Sequence, residues 1–301
     1  MPTRFAGFLR RTAQGAHENN LPFLSSALTF DALMAFIPLT LLILLVVSSV
    51  VRGAMAAGTD ASQVMEFLLP SHQVPGGRDP LAGAEALLTR IAEQRTRLSL
   101  VVLPLFFWFA TRLFASIRGS LNLIYGAQAG RPSGGIVLGY FQGKLRDLGM
   151  VLAVIALALV HTILSSALAI LTSRGTAASP VLAPFASTAF ALAWQGLAFA
   201  LLVALFLILY RYASFRRLEW RGALIASIFS AVSFEVAKRL FGLYLTRVVS
   251  LERMSLDANI GAIILAMLWM WYTSFVFLLG AVVADTWEHP DRPHRPPPIP
   301  V

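Results

Sequence analysis

Three charged residues stand inside one apolar stretch of this 301-residue chain, GALIASIFSAVSFEVAKRLFGLY at 222–244. Glu235, Lys238 and Arg239 occupy positions i, i+3 and i+4, so on a helix an acid and two bases share a face. A carboxylate in apolar surroundings must pair or take up a proton, and ionisable residues at such depth tend to face a bundle interior or a wet cavity. Glu235, with Lys238 and Arg239 beside it, is therefore the first candidate for a substrate pathway. The competing reading is a self-neutralising pair that only lets the helix insert. Asp31, in TFDALMAFIP, and Arg112, in FFWFATRLFASI, are further candidates. The sharper reading pairs them, since both fall on the cytoplasmic half of their stretches; the plainer readings are an acid favoured by a helix dipole and a cation that snorkels. Pro38 follows Asp31, removes a backbone N–H and is expected to hinge or kink its helix.

Other chemistry is scarce. With no cysteine, thiolate zinc sites, iron–sulfur clusters and disulfides are excluded. The five histidines, His17, His72, His161, His289 and His294, are scattered, with no HExxH and no phosphate-binding GxxxxGK[ST] motif. No catalytic residue, metal or cofactor is expected, and the chain reads as a non-enzyme. His161 and Gln195 are expected to hydrogen-bond between helices. Trp108, Trp269, Trp271 and Tyr272 read as packing or interface residues. Asp285, Trp287 and Glu288 mark the end of the last apolar stretch.

The elements that must carry these residues are long and apolar. Hydrophobic residues make up 57% of the chain and charged ones 13%, against roughly 25% charged in a soluble domain. Such a chain belongs in a bilayer, where a crossing helix needs about 20 apolar residues. Six crossings are expected, near 30–51, 98–117, 148–171, 182–210, 222–244 and 260–284. The predicted fold is an all-α polytopic bundle, one membrane domain over 1–288, followed by a Pro-rich disordered tail at 289–301. Lys and Arg set its orientation. Arg4, Arg10, Arg11, Arg118, Arg131, Lys144, Arg146, Arg211, Arg216, Arg217, Arg221, Arg292 and Arg295 fall on one side. The short connections of the other side hold Arg174, Arg247 and Arg253. Both termini are therefore expected in the cytoplasm. The first twenty residues lack the apolar core of a cleaved signal peptide. The outer loop, 52–97, is expected to hold two short amphipathic helices, ASQVMEFLLP and LAGAEALLTRIAEQRTRL, around the turn-rich HQVPGGRDP. No internal repeat is visible.

Several blocks taken in order resemble the YihY/BrkB family, once named ribonuclease BN. SSALTFDALMAFIPLTLLI resembles its first-span entry at Ile37, Pro38 and Leu39, and WFATRLFASIRGSLNLIYG its second-span block at Trp108, Asn122, Tyr125 and Gly126. LYRYASFRRLEWRGALIASIF resembles the connection leading to a Gly-Ala pair, here Gly222 and Ala223. FGLYL, with Phe241, Gly242 and Tyr244, and IGAIILAMLWMWYTSFVFLLGA, with Trp269, Tyr272, Gly280 and Ala281, complete the series. The chain departs from the pattern at Asp31, where an aromatic is usual, in RYASFRR, which lacks a proline, and in the displacement of an acid to Asp285. The resemblance implies a six-helix protein of the bacterial inner (cytoplasmic) membrane.

Three functions are then in play. The first is transport of a lipid, lipid-linked precursor or amphipathic solute, with membrane lipids as partners and basic residues suited to anionic headgroups. The second is a non-transporting scaffold for envelope proteins, acting through the outer loop. The third, an intramembrane enzyme or nuclease, has no residues to carry it. Nucleic acid is not expected as a partner: the net charge of +9 sits beside apolar spans, where topology explains it. Small-residue faces such as GALIAS would allow a homo-oligomer.

Overall fold

A computed structural model describes residues 2–56, 82–127, 143–157, 159–160, 183–216, 218–248 and 258–289. Its elements are α1 (Pro2–Glu18), α2 (Leu21–Ala56), α3 (Ala82–Tyr125), α4 (143–157), α5 (Ala183–Ile208) with a π turn (Leu209–Ala213), α6 (Trp220–Val248) and α7 (Ala258–Glu288). No strand occurs among the described residues. The all-helical expectation therefore stands. The segment 61–80, His161 and half of the expected third crossing, and the tail beyond His289 lie outside the described residues.

Local chemistry explains where the helices stop. Asn20 breaks α1 from α2 by taking a left-handed conformation, φ 49°, which Asn tolerates better than most residues. Its carbonyl then accepts the N–H groups of Phe23 (3.0 Å) and Leu24 (3.2 Å) that open α2. Gly126, φ 62°, ends α3. Its N–H donates to Leu123 O, and the Ala127 N–H to Asn122 O (2.9 Å), the paired closure of a Schellman motif.

Helices α2 and α3 overrun the expected spans. At 36 and 44 residues they measure about 54 and 66 Å, against a hydrocarbon core of about 30 Å. The expected separate helix LAGAEALLTRIAEQRTRL is corrected here: from Ala82 onward it is the first part of α3. Neither Gly nor Pro occurs between Ala84 and Leu103, so nothing interrupts helical hydrogen bonding where amphipathic sequence gives way to apolar. Pro38 lies inside α2 with its side chain fully buried, and the helix continues through it. A helix, Pro2–Glu18, also stands at the start of the chain, where the sequence suggested no element.

Among the described residues four helices are long and apolar enough to cross a membrane: Leu21–Ser49, Leu98–Tyr125, Leu192–Ala213 and Ile263–Glu288. They overlap the expected first, second, fourth and sixth crossings. Helix α6 has the length, 29 residues, but is not in that group.

The chain packs as two compact units, Met1–Phe30 with Thr111–Val301, and Asp31–Ala110. In the smaller unit Ala35, Pro38, Leu45, Val102, Phe106 and Ala110 are buried, while Phe36, Ile37, Ile43, Leu100 and Val101 are exposed. The larger unit is built on α6 packed against α7 and α5, with α1 laid on α7. Its interior is lined by small and hydroxyl residues, among them Ala223, Ala226, Ser227, Ser230 and Ala231 of α6. The outer face of α6 carries Leu224, Ile228, Val232, Val236 and Leu240 at four-residue spacing. Small residues within and large aliphatics without invert the soluble pattern, and are what helices need to approach one another in lipid.

Candidate functional site

Two polar constellations sit in the larger unit. The first is buried. The π turn inserts Tyr210 fully into the helix interior, where its ring stacks on Phe277 at 5.0 Å and 5°. Its hydroxyl donates to the Phe277 carbonyl (2.6 Å) and shares a 2.7 Å bond with Ser230 Oγ. Because the phenol has one proton, Ser230 is the donor in that second bond. Gly280 is dictated by this cluster: a Cβ there would collide with Ser230 Oγ and Tyr210 Oη. Nearby in sequence, Thr29 Oγ1 reaches Ser274 Oγ (3.4 Å) and Trp271 Nε1 donates to Ser26 Oγ (3.2 Å), tying the start of α2 to α7. Most remaining hydroxyls turn back on their own helix: Ser25 donates to Leu21 O (2.7 Å) and Ser227 to Ala223 O (2.6 Å). That is how a hydroxyl is satisfied in apolar surroundings.

The second constellation is a junction of helix ends. Arg118 of α3 grips Asp147 of α4 with both guanidinium nitrogens, each at 2.8 Å, and Arg118 also donates to Gly143 O (3.2 Å). Asp147 is buried and Arg118 half-buried. Burial pushes the Asp147 carboxyl above its ordinary value, and the Arg118 guanidinium opposes this without cancelling it. Arg118 and Arg146 both lie over the Phe215 ring, at 5.7 and 5.6 Å. Arg146 donates through Nε to Tyr212 O (3.1 Å) and also reaches Ser214 O. Asn122 Oδ1 accepts from Ser214 Oγ and the Phe215 N–H, both at 2.9 Å. From the end of α7, Glu288 Oε1 accepts the Glu219 N–H (2.7 Å) before α6, and His289 Nε2 meets Arg216 (2.6 Å). Helix α1 joins through Phe8, edge-on to Trp287 at 6.3 Å, and through Gly15 against Val282. The ends of α1, α3, α4, α5, α6 and α7 thus meet through hydrogen bonds, ion pairs and ring contacts.

The sequence-nominated residues fall elsewhere. Glu235 pairs with Lys238 at 2.6 Å, one turn along the surface of α6. Lys238 and Arg239 are exposed and Glu235 is half-buried. Asp31 opens the smaller unit, half-buried, whereas Arg112 belongs to the larger one and is exposed. Arg118, read from sequence as ordinary boundary charge, is instead the ion-pair partner of the buried Asp147. Gln195 is exposed, with no hydrogen bond among the described residues. Trp269 packs on Phe234 (5.6 Å) and Phe241 (4.9 Å), as expected of a packing residue. Tyr210, Ser230 and Asp147 were not singled out by sequence, because hydroxyls and one acid beside an apolar run give no spacing signal. Among the described residues no three His, Asp or Glu side chains gather as a metal site would require.

An all-helical bundle with apolar outer faces and helices long and apolar enough to cross a bilayer has the build of a membrane protein. The chain matches the family model for virulence factor BrkB over residues 12–299 and belongs to that family. It is similar to UPF0761 membrane proteins of Paraburkholderia xenovorans (25% identical, 91% of this chain and 58% of that one) and Methylibium petroleiphilum (27%, 92% and 61%). A third, from Ralstonia nicotianae, is 26% identical over 92% of this chain and 58% of its own. The chain thus spans about three-fifths of the length of these curated relatives. No solved structure matches it.

Proposed function

We propose that this BrkB-family protein is a six-crossing transporter in the bacterial inner membrane, with both termini cytoplasmic, moving a lipid, a lipid-linked precursor or an amphipathic solute. It acts without enzymatic chemistry, its partners are membrane lipids, and a homo-oligomer suits its small-residue faces. The observation that carries the reading is the polar interior of an otherwise apolar bundle. Tyr210, Ser230, Thr29 and Ser274 are buried between helices whose outer faces are aliphatic. Supporting a crossing by α6 is its exposed aliphatic face. Supporting the common sidedness is the junction of helix ends, which joins two connections, the end of α7 and α1, all of them on the arginine-rich side by charge counting. Glu235, Lys238, Arg239, Asp31 and Arg112 remain the pathway candidates, with Pro38 the hinge.

The test is lipid flip-flop in proteoliposomes, with a fluorescent anionic lipid and an impermeant quencher. Wild-type protein is expected to abolish the protected inner-leaflet fraction, and Glu235→Gln to restore it while the protein still inserts. Full protection with wild type overturns passive lipid transport. A scaffold reading is favoured by one observation, the continuation of α3 by residues 82–97 beyond its apolar span, an arm of about 24 Å. A scaffold would tolerate Glu235→Gln and fail on deletion of 60–97.

A further inference from the structure

Arg211 is the one charged side chain of the π turn, and its surroundings are unusual. Its guanidinium lies over the Trp220 ring at 4.8 Å, close enough for a cation–π contact. Its Nε–H is sealed from solvent and has no acceptor among the described residues. No carboxylate pairs with it there, although Asp147, Glu288 and Asp285 of the neighbouring junction each have a basic or N–H partner. A guanidinium with no carboxylate partner asks where its charge and its outer N–H groups are satisfied. Position supplies an answer. The apolar helix Leu192–Ala213 ends two residues beyond Arg211, and Trp220, 53% exposed, opens α6. Arginine and tryptophan at the end of a span lie at headgroup level, where phosphate is the abundant anion. The planar fork of arginine can engage two phosphate oxygens while one face stays stacked on the indole.

We infer that Arg211 and Trp220 form a binding site for a phosphate-bearing headgroup at the edge of the membrane. Arg211 donates Nη–H groups to the phosphate, and the Trp220 ring holds the guanidinium flat. The inference deepens the lipid-transport reading and rests on its placement of these helix ends at the membrane surface.

The experiment is native mass spectrometry of the full-length, delipidated protein, titrated with phosphatidylglycerol and, as the phosphate-free control, diacylglycerol. Wild type is expected to prefer phosphatidylglycerol at least about tenfold, the worth of one charge-assisted contact. Arg211→Gln and Trp220→Leu should remove most of that preference, while Arg221→Gln, an exposed neighbour, leaves it within about twofold. Arg211→Lys keeps the charge but lacks the fork, and should lose the preference as well. It serves as the second probe where Arg211→Gln does not fold. Displacement by inorganic phosphate identifies the ligand as soluble phosphate; persistence of the lipid identifies the headgroup. Wild-type preference retained in both folded Arg211 variants overturns the site. Because binding is read without transport, a protein that shows the Arg211-dependent preference but moves no lipid overturns only the transport reading. One that moves lipid without that preference overturns only this site.

Discussion

Tyr210 holds the larger unit at a point where three chain segments meet, since one phenol bonds a carbonyl of α7 and a hydroxyl of α6 from the π turn. Tyr210→Phe keeps the stacked ring and removes both bonds, leaving buried polar groups unsatisfied. A loss of about 1–3 kcal/mol is expected, read as a lower midpoint in detergent thermal unfolding. Gly280→Ala should be at least as harmful, because its Cβ displaces the same hydroxyls. Arg118 and Asp147 make a second residue-scale prediction. Removing Arg118 alone strands a buried carboxylate and should cost about 3–5 kcal/mol, whereas replacing both by apolar residues of similar size costs far less. The pH dependence follows from the raised carboxyl of Asp147. The folded state holds that proton more tightly than the unfolded chain, so the contribution is present at low pH. It is lost as pH rises from the ordinary carboxylate value through the raised folded one. Asp147→Asn should flatten the unfolding midpoint across that window; an unchanged slope would contradict it.

At the scale of elements, α1 and α2 invite separate tests. Helix α1 seats on α7 where Gly15 allows close approach to Val282. Gly15→Leu should lift α1 and speed limited proteolysis near residue 10, with the remaining helices intact. Pro38 withdraws the N–H that would reach the Met34 carbonyl. Pro38→Ala should raise the unfolding midpoint while slowing lipid translocation, if α2 bends there during a transport cycle. A gain in stability with unchanged translocation would leave Pro38 a packing residue. Most of these elements were legible from sequence. Runs such as LTLLILLVVSSVV and IGAIILAMLWMWYTSFVFLLGA leave the backbone no alternative to a helix in an apolar medium. Their ends were less legible: α3 begins at Ala82 because an amphipathic helix can pass into an apolar one with no change of backbone.

For the whole molecule, sidedness is the testable property, and the absence of cysteine makes it accessible. Single cysteines at Arg10 and Arg221 should be shielded from an impermeant maleimide in intact cells and react after permeabilisation. One at His72, in the long loop, should react at once. The reverse pattern would invert the proposed topology.

The sequence by itself determined that this chain is helical and belongs in a membrane, where the apolar runs lie, and which family it resembles. These follow from composition and period, local quantities that one strand of text contains. Only the tertiary structure decided which polar residues matter to one another. Glu235 turned to Lys238 on its own helix, while Arg118 found Asp147, and Tyr210 found Ser230 and Phe277, across gaps in sequence. In an apolar medium a polar group bonds whatever partner packing brings within about 3 Å, and distance along the chain says nothing about which that will be.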